Sequence, residues 1–105
     1  MVLGPDVALR AIAEPHRREI LRLVRERELP VVEIAARFPG VSRPAVSQHL
    51  RVLCDAGLLS MRRSGRNSFY RAREDRIDRL RAYLDIFWGD RLAALKRAAE
   101  REARR

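Results

Sequence analysis

The sequence predicts a mainly α-helical fold with one small β-hairpin, in the order α-α-α-α-β-β-α. Three observations predict it. Apolar residues recur at three- and four-residue spacing through most of the chain, Pro and Gly interrupt that spacing at discrete points, and residues 59–72 switch to two short extended runs around a Gly-containing turn. At 105 residues the chain makes one domain, 1–105, with a core modest enough that pairing with a second copy would help it. An apolar share of 47% argues against disorder.

The first helix is expected over 6–13, DVALRAIA, with Asp6 as N-cap and Val7, Ala11 and Ile12 as an apolar stripe. Glu14-Pro15 ends it and opens the second, 15–27, which turns Ile20, Leu21, Leu23 and Val24 inward and arginines outward. His16 reads as a helix-start residue packed near Ile20 rather than as a ligand or catalytic group. Leu29-Pro30 reads as a connector. Beyond it Val31, Ile34, Ala35 and Phe38 recur at helical spacing, and Pro39-Gly40 breaks that helix as a turn of three or four residues requires. Ser42 then caps a further helix, its hydroxyl placed to accept a first-turn amide, with Pro44 where a missing N–H is harmless. Val46, Leu50 and Leu53 fall on one stripe at i, i+4 and i+7. At about 100° per residue Pro44, Gln48, Arg51 and Asp55 fall opposite, flanked by Arg43 and Ser47. An outward face of Arg, Ser and Gln has the chemistry to read base edges in a major groove, Arg suiting guanine O6/N7 and Gln adenine N6/N7. The same residue types are common on any solvated helix, so the inference needs support from elsewhere in the chain.

The hairpin supplies it. Ala56-Gly57 is a C-cap signal, with Gly57 free to take positive φ. Leu59 to Arg63 and Ser68 to Ala72 then read as strands around Ser64-Gly65-Arg66-Asn67, with Gly and Asn where positive φ is needed. Alternation sets Met61, Phe69 and Arg71 on a different face from Arg62 and Tyr70, without fixing the register between the strands. Arg62, Arg63 and Arg66 surround the tip, and a basic hairpin directly after such a helix is a wing, able to touch the backbone or an adjacent minor groove. The pattern is a winged helix-turn-helix. From Ser42 to Arg73 there are seven Arg against one acid, Asp55, a balance of +6 out of +9 for the whole chain. Counterion release makes such a patch a binder of polyanions. That only Lys96 is Lys fits either the better bidentate grip of Arg on phosphate and guanine or a coding bias toward Arg, but this clustering is harder to explain by coding bias.

The last third reads as one long helix starting at Glu74 or Asp75, acidic where the dipole wants acid and Arg-rich at its end. Ile77, Leu80, Leu84, Phe87, Trp88, Leu92 and Leu95 hold one broad stripe, weakened by Gly89. A domain this small cannot cover that stripe alone. This helix and the first, through Leu9, Ile12, Leu80, Leu84, Phe87, Trp88, Leu92 and Leu95, are therefore expected to pack against a two-fold mate.

Several classes are excluded or disfavoured. There is no Gly-rich phosphate loop, no Ser-His-Asp set and no carboxylate pair set beside an apolar pocket, so an enzyme has little support. Cys54 is the only cysteine, so no intrachain disulfide forms; no apolar run spans a membrane and MVLGPDVALR is not a signal peptide, which together predict a cytoplasmic protein. A basic amphipathic helix at a membrane is opposed by Asp85, Asp90, Glu100 and Glu102.

The runs Ala11–Val24, Val41–Leu59, the hairpin RRSGRNSFYRA and the closing DIFWGDRLAALKR resemble the bacterial ArsR/SmtB family of winged-helix repressors, over nearly the whole chain. The most specific part is Ser42, Val46, Ser47, His49, Leu50 and Leu53 followed by Asp55-Ala56-Gly57-Leu58. The Phe87-Trp88 segment is similar to a non-metal branch. The resemblance implies a homodimeric repressor or autorepressor of a palindromic operator in double-stranded DNA. Ser42, Arg43, Pro44, Ser47 and Gln48 would lie at the helix start near bases, with Arg51, Arg62, Arg63, Arg66 and Asn67 on phosphates; His49 lies on the edge of the buried stripe, where base contact, phosphate contact and packing are all open.

Metal-sensing members carry Cys-x-Cys in a stretch similar to E-L-C-V-C-D-L. Here Glu28-Leu29-Pro30-Val31-Val32-Glu33-Ile34 puts Pro30 and Val32 where thiolates would be, and neither ligates metal. No His follows His49 on the final helix, so no metal and no cofactor is expected. Cys54 is the candidate redox residue, read either as a small half-buried side chain or as a thiol whose oxidation disturbs the helix. The operator and any small-molecule inducer are not encoded legibly. The competing reading is a winged-helix module whose basic surface meets an acidic protein or RNA.

Overall fold

The computed structural model describes residues 4–104, apart from the side chain of Leu92. The chain runs α1 (Gly4–Ile12), α2 (Pro15–Glu26), β1 (Leu29–Pro30), α3 (Val31–Ala36), α4 (Arg43–Asp55), β2 (Leu59–Ser64), β3 (Asn67–Ala72) and α5 (Glu74–Ala103). Asp6 lies inside the first turn of α1 rather than capping it. Glu14 caps α2: its carboxylate accepts from the Arg17 amide at 2.9 Å while Pro15 fills the first helical position. Arg17 and Arg18 donate back to the last carbonyls of α1, Arg17 Nε to Ala11 O at 2.6 Å and Arg18 Nη1 to Ile12 O at 2.8 Å, which fixes the α1–α2 elbow.

Leu29-Pro30 is not a mere connector. It pairs antiparallel with β3, Leu29 opposite Tyr70 and Pro30 opposite Phe69, making a three-stranded sheet in the order β1-β3-β2. Pro30 is tolerated because β1 is an edge strand. Phe38, expected within the preceding helix, falls just past the end of α3 but still packs on the core, and residues 37–42 make a longer turn than the spacing suggested. The α4 helix ends as expected at Gly57, with φ of 78°. The Gly57 amide reaches Cys54 O at 2.9 Å and the Leu58 amide reaches Leu53 O at 3.0 Å, a Schellman closure with Leu53 and Leu58 both buried.

Two details of the hairpin differ from the sequence reading. Positive φ occurs at Gly65 alone, at 62°, and Asn67 is instead paired with Ser64 at the base of a two-residue loop. Met61 faces Tyr70 across the strands and Arg62 faces Phe69, so Met61 shares a face with Tyr70 and Arg62 with Phe69, not the grouping that alternation alone suggests.

The core gathers Ile20 and Val24 of α2, Ile34 of α3, Val46, Leu50 and Leu53 of α4, and Leu58, all fully buried. Ala8 and Ala11 of α1 and Ile77 and Leu80 of α5 close it from the side. Arg25 donates from Nε and Nη2 to the two oxygens of Glu74, both at 3.0 Å, tying α2 to the start of α5. Beyond Leu84 the α5 helix leaves the core.

Candidate nucleic-acid interface

Ser42 Oγ accepts the Ala45 amide at 3.2 Å, so the N-terminus of α4 is capped as its sequence requires. With Val46, Leu50 and Leu53 anchored in the core, Arg43, Pro44, Ser47, Gln48 and Arg51 are all exposed on the opposite side. At the hairpin tip Arg63, Arg66 and Asn67 are exposed too. The side chains of Arg43, Arg51, Arg63 and Arg66 make no hydrogen bond or ion pair among the described residues. Four guanidiniums and two neutral hydrogen-bonding side chains, Ser47 and Gln48, therefore stand without protein partners on α4 and the wing. The first kind suits phosphate or guanine, the second base edges.

Arg62 does not belong to this set. It donates from Nε at 3.1 Å and Nη2 at 2.7 Å to Glu28, and its guanidinium lies 4.7 Å from the centre of the Phe69 ring. It braces the wing against the segment before β1 instead of presenting a free cation. The sequence reading missed Glu28 because nothing local connects residues 34 apart.

His49 also turns toward its own protein. Its side chain is 18% exposed, stacked on His16 with ring centres 5.5 Å apart, and Arg17 Nη1 is 3.4 Å from its Nδ1. Among the three roles open to it, packing is the one seen in the folded chain. His16 lies against His49 and edge-on to Phe38, with Nδ1 donating to Glu14 Oε1 at 2.7 Å. Burial raises the Glu14 carboxyl, but the His16 and Arg17 hydrogen bonds outweigh it and hold the group below its ordinary value.

Cys54 is half-buried on α4, at a cleft toward the sheet lined by Ser47, Arg51, Leu59, Met61 and Tyr70. Burial, helped by Asp55, pushes its thiol above the ordinary range. That environment keeps it neutral, the opposite of what a reactive thiolate needs.

The residues expected at a dimer interface divide into three groups. Leu80 is buried in the chain's own core and offers almost no surface to a second copy, a correction to its expected role. Leu9, Ile12 and Leu84 are half-buried against that core. Phe87, Trp88 and Leu95 are exposed along the outer half of α5, joined by Ile86, which the stripe did not include. Leu92 lies outside the described side chains. No described helix is long and apolar enough to cross a membrane.

Comparison with known proteins agrees with this geometry. A helix-turn-helix domain model matches residues 12–62. The HTH-type transcriptional regulator Rv2034 of Mycobacterium tuberculosis is 42% identical over 85 residues, covering 81% of this chain and 78% of that one. Transcriptional repressor SdpR of Bacillus subtilis is 36% identical over 61 residues, 58% of this chain and 67% of that one. Among solved structures, one described as a possible transcriptional regulator for arsenical resistance superposes with a TM-score of 0.75 at 45% identity, over 89% of this chain and 96% of that one. An ArsR-like transcriptional regulator from Rhodococcus sp. RHA1 gives 0.71 at 30% identity, over 91% and 92%. The names these relatives carry are those of regulators of transcription. The chain belongs to the ArsR family of winged helix-turn-helix, DNA-binding transcriptional regulators.

Proposed function

We propose that the protein is a homodimeric repressor that binds an operator palindrome, with α4 of each copy in successive major grooves and each wing on the flanking backbone. Gln48, Ser47 and Arg43 read bases; Arg51, Arg63, Arg66 and Asn67 hold phosphates, and Ser42 and Pro44 sit at the helix start close to the groove. The observation that carries the reading is the unpartnered polar face of α4 beside an unpartnered basic hairpin tip. The second support is the exposed apolar row Ile86, Phe87, Trp88 and Leu95, which a second copy would cover. Repression is supported by the names of relatives such as SdpR. One winged domain with terminal helices for pairing, working in the cytoplasm and controlling its own promoter, completes the proposal. With Pro30 and Val32 where thiolates would be needed, this chain falls among members without a thiolate metal sensor at that position.

Selecting bound fragments from the source genome and measuring their affinity against salt tests this. A palindromic fragment should bind about 10³-fold more tightly than random duplex, and both affinities should fall as salt rises. Equal affinity for all duplexes, or preference for RNA or an acidic protein, refutes it.

A further inference from the structure

Among the described residues one group of three metal-ligating side chains comes together, and the nucleic-acid face does not use it. Glu14, His16 and His49 each bring one ligand atom to within 4.8 Å of the others. Glu14 and His16 sit at the elbow where α1 turns into α2, and His49 projects from the inner flank of α4. The two imidazoles are nearly parallel, at 14°, and both present Nδ1 to the same carboxylate, His16 at 2.7 Å from Oε1 and His49 at 3.9 Å from Oε2.

We propose that Glu14, His16 and His49 form a binding site for a divalent transition ion of the zinc class, taken through the two Nδ1 atoms and the carboxylate, with water completing the shell. Two imidazoles and one carboxylate form a donor set that suits zinc, cobalt and nickel and leaves calcium and magnesium poorly served. Adjacent donors on a tetrahedral ion with bonds near 2.0–2.1 Å stand about 3.3 Å apart. His16 Nδ1 stands 2.7 Å from Oε1, His49 Nδ1 3.9 Å from Oε2, and the three ligand atoms all lie within 4.8 Å of one another, so side-chain adjustment on the order of 1 Å brings them to that spacing. The carboxylate is already oriented, because Oε2 is fixed by the Arg17 amide at 2.9 Å. His16 is 44% exposed, which gives the ion a way in and leaves room for water ligands. On binding, the ion replaces the proton that His16 Nδ1 shares with Glu14, and that proton leaves to solvent.

Arg17 opposes the ion. Its Nη1 is 3.4 Å from His49 Nδ1 and must give up that contact, although Nε and Nη2 stay held by Ala11 O and Arg10 O at 2.6 and 3.2 Å. A fixed positive charge beside the site makes it one of moderate affinity. The neighbour of His49 is Gln48, so, on the operator-binding reading, the ion would clasp the base-reading helix to the elbow behind it.

Calorimetric titration of zinc into the chelator-treated 105-residue chain, without DNA, tests the site. Uptake of one ion per chain at micromolar free zinc is expected. Glu14→Gln and His16→Asn should each weaken it by at least the roughly tenfold that loss of even an outer-shell partner costs. Arg17→Met should strengthen it, and Cys54→Ser should leave it unchanged. His16 is exposed enough that its variant folds, which circular dichroism checks. No uptake below millimolar zinc, wild-type uptake by both Glu14→Gln and His16→Asn, or loss in Cys54→Ser overturns the proposal. A chain that takes up zinc but selects no operator keeps the site and loses the operator reading; operator binding without zinc uptake does the reverse.

Discussion

Replacing Phe87 by Ala should separate the two copies. Phe87 is 58% exposed, in ring contact with Tyr83 at 4.9 Å and Trp88 at 6.3 Å, and lies on the part of α5 that has left the core. Of the roughly 200 Å² that an aromatic side chain presents, 58% is about 115 Å² available to a partner. At about 25 cal/mol per Å² that is about 3 kcal/mol per protomer and about 6 kcal/mol for a symmetric pair. Ordering and imperfect fit consume part of any such gross figure. If half is realised, the remaining 3 kcal/mol weakens the dimer dissociation constant by about two powers of ten. Sedimentation velocity over a concentration series measures this directly, and the helix itself is preserved because Ala is a good helix former. An unchanged dissociation constant in Phe87→Ala refutes the use of this stripe for pairing, and a wild-type protein that sediments as a monomer at micromolar concentration refutes pairing altogether.

The remaining expectations concern the interface, the core and acid. Gln48→Ala should cost about 1–3 kcal/mol on the operator and relax its specificity, whereas Arg66→Ala should weaken all duplexes alike and lower the salt slope by about one. Arg62→Ala, because its guanidinium is engaged with Glu28 and Phe69, should leave that slope nearly as it is; a drop equal to that of Arg66→Ala would show the brace opening onto DNA. Leu53→Ala, at a position with no exposure, should lower unfolding stability in urea by about 2–5 kcal/mol, and a loss below about 1 kcal/mol contradicts the packing described. The Glu14 carboxyl is held below its ordinary 4.5, so its stabilisation is complete above that pH and fades as pH falls through the lower folded value. Glu14→Gln should flatten the acid limb of a stability–pH profile; a limb identical to wild type shows that the cap contributes nothing there.

Where the sequence carried the answer, the determinants were local. Ser42, Pro44, the Val46-Leu50-Leu53 stripe and Gly57 specify α4 within sixteen residues, and the structure begins and ends the helix where those signals lie. The start of α5 follows in the same way from Glu74 and Asp75. What escaped depends on partners distant along the chain. A two-residue strand has no periodicity, and β1 exists only because β3 comes to lie beside it. The hairpin register is fixed by the Ser64–Asn67 closure and by one glycine at positive φ, and a shift of one residue exchanges its faces. Arg62 reads as a phosphate holder until Glu28 is brought near it, and His49 reads as ambiguous until the α1–α2 elbow supplies Glu14, His16 and Arg17. Composition identifies the basic region correctly; which of its arginines are already engaged is a property of the folded chain.

The Schellman closure at Gly57 has a mechanical consequence. Only Ala56, Gly57 and Leu58 separate α4 from β2, all three of their amides are tied back into the helix, and the Arg73 amide grips Leu58 O at 2.8 Å. There is no slack left for a hinge between the reading helix and its hairpin. Helix and hairpin then move as one stiff piece, and on the pairing proposed above whatever loosens the grip on an operator would have to change the gap between two such pieces, not the shape of either.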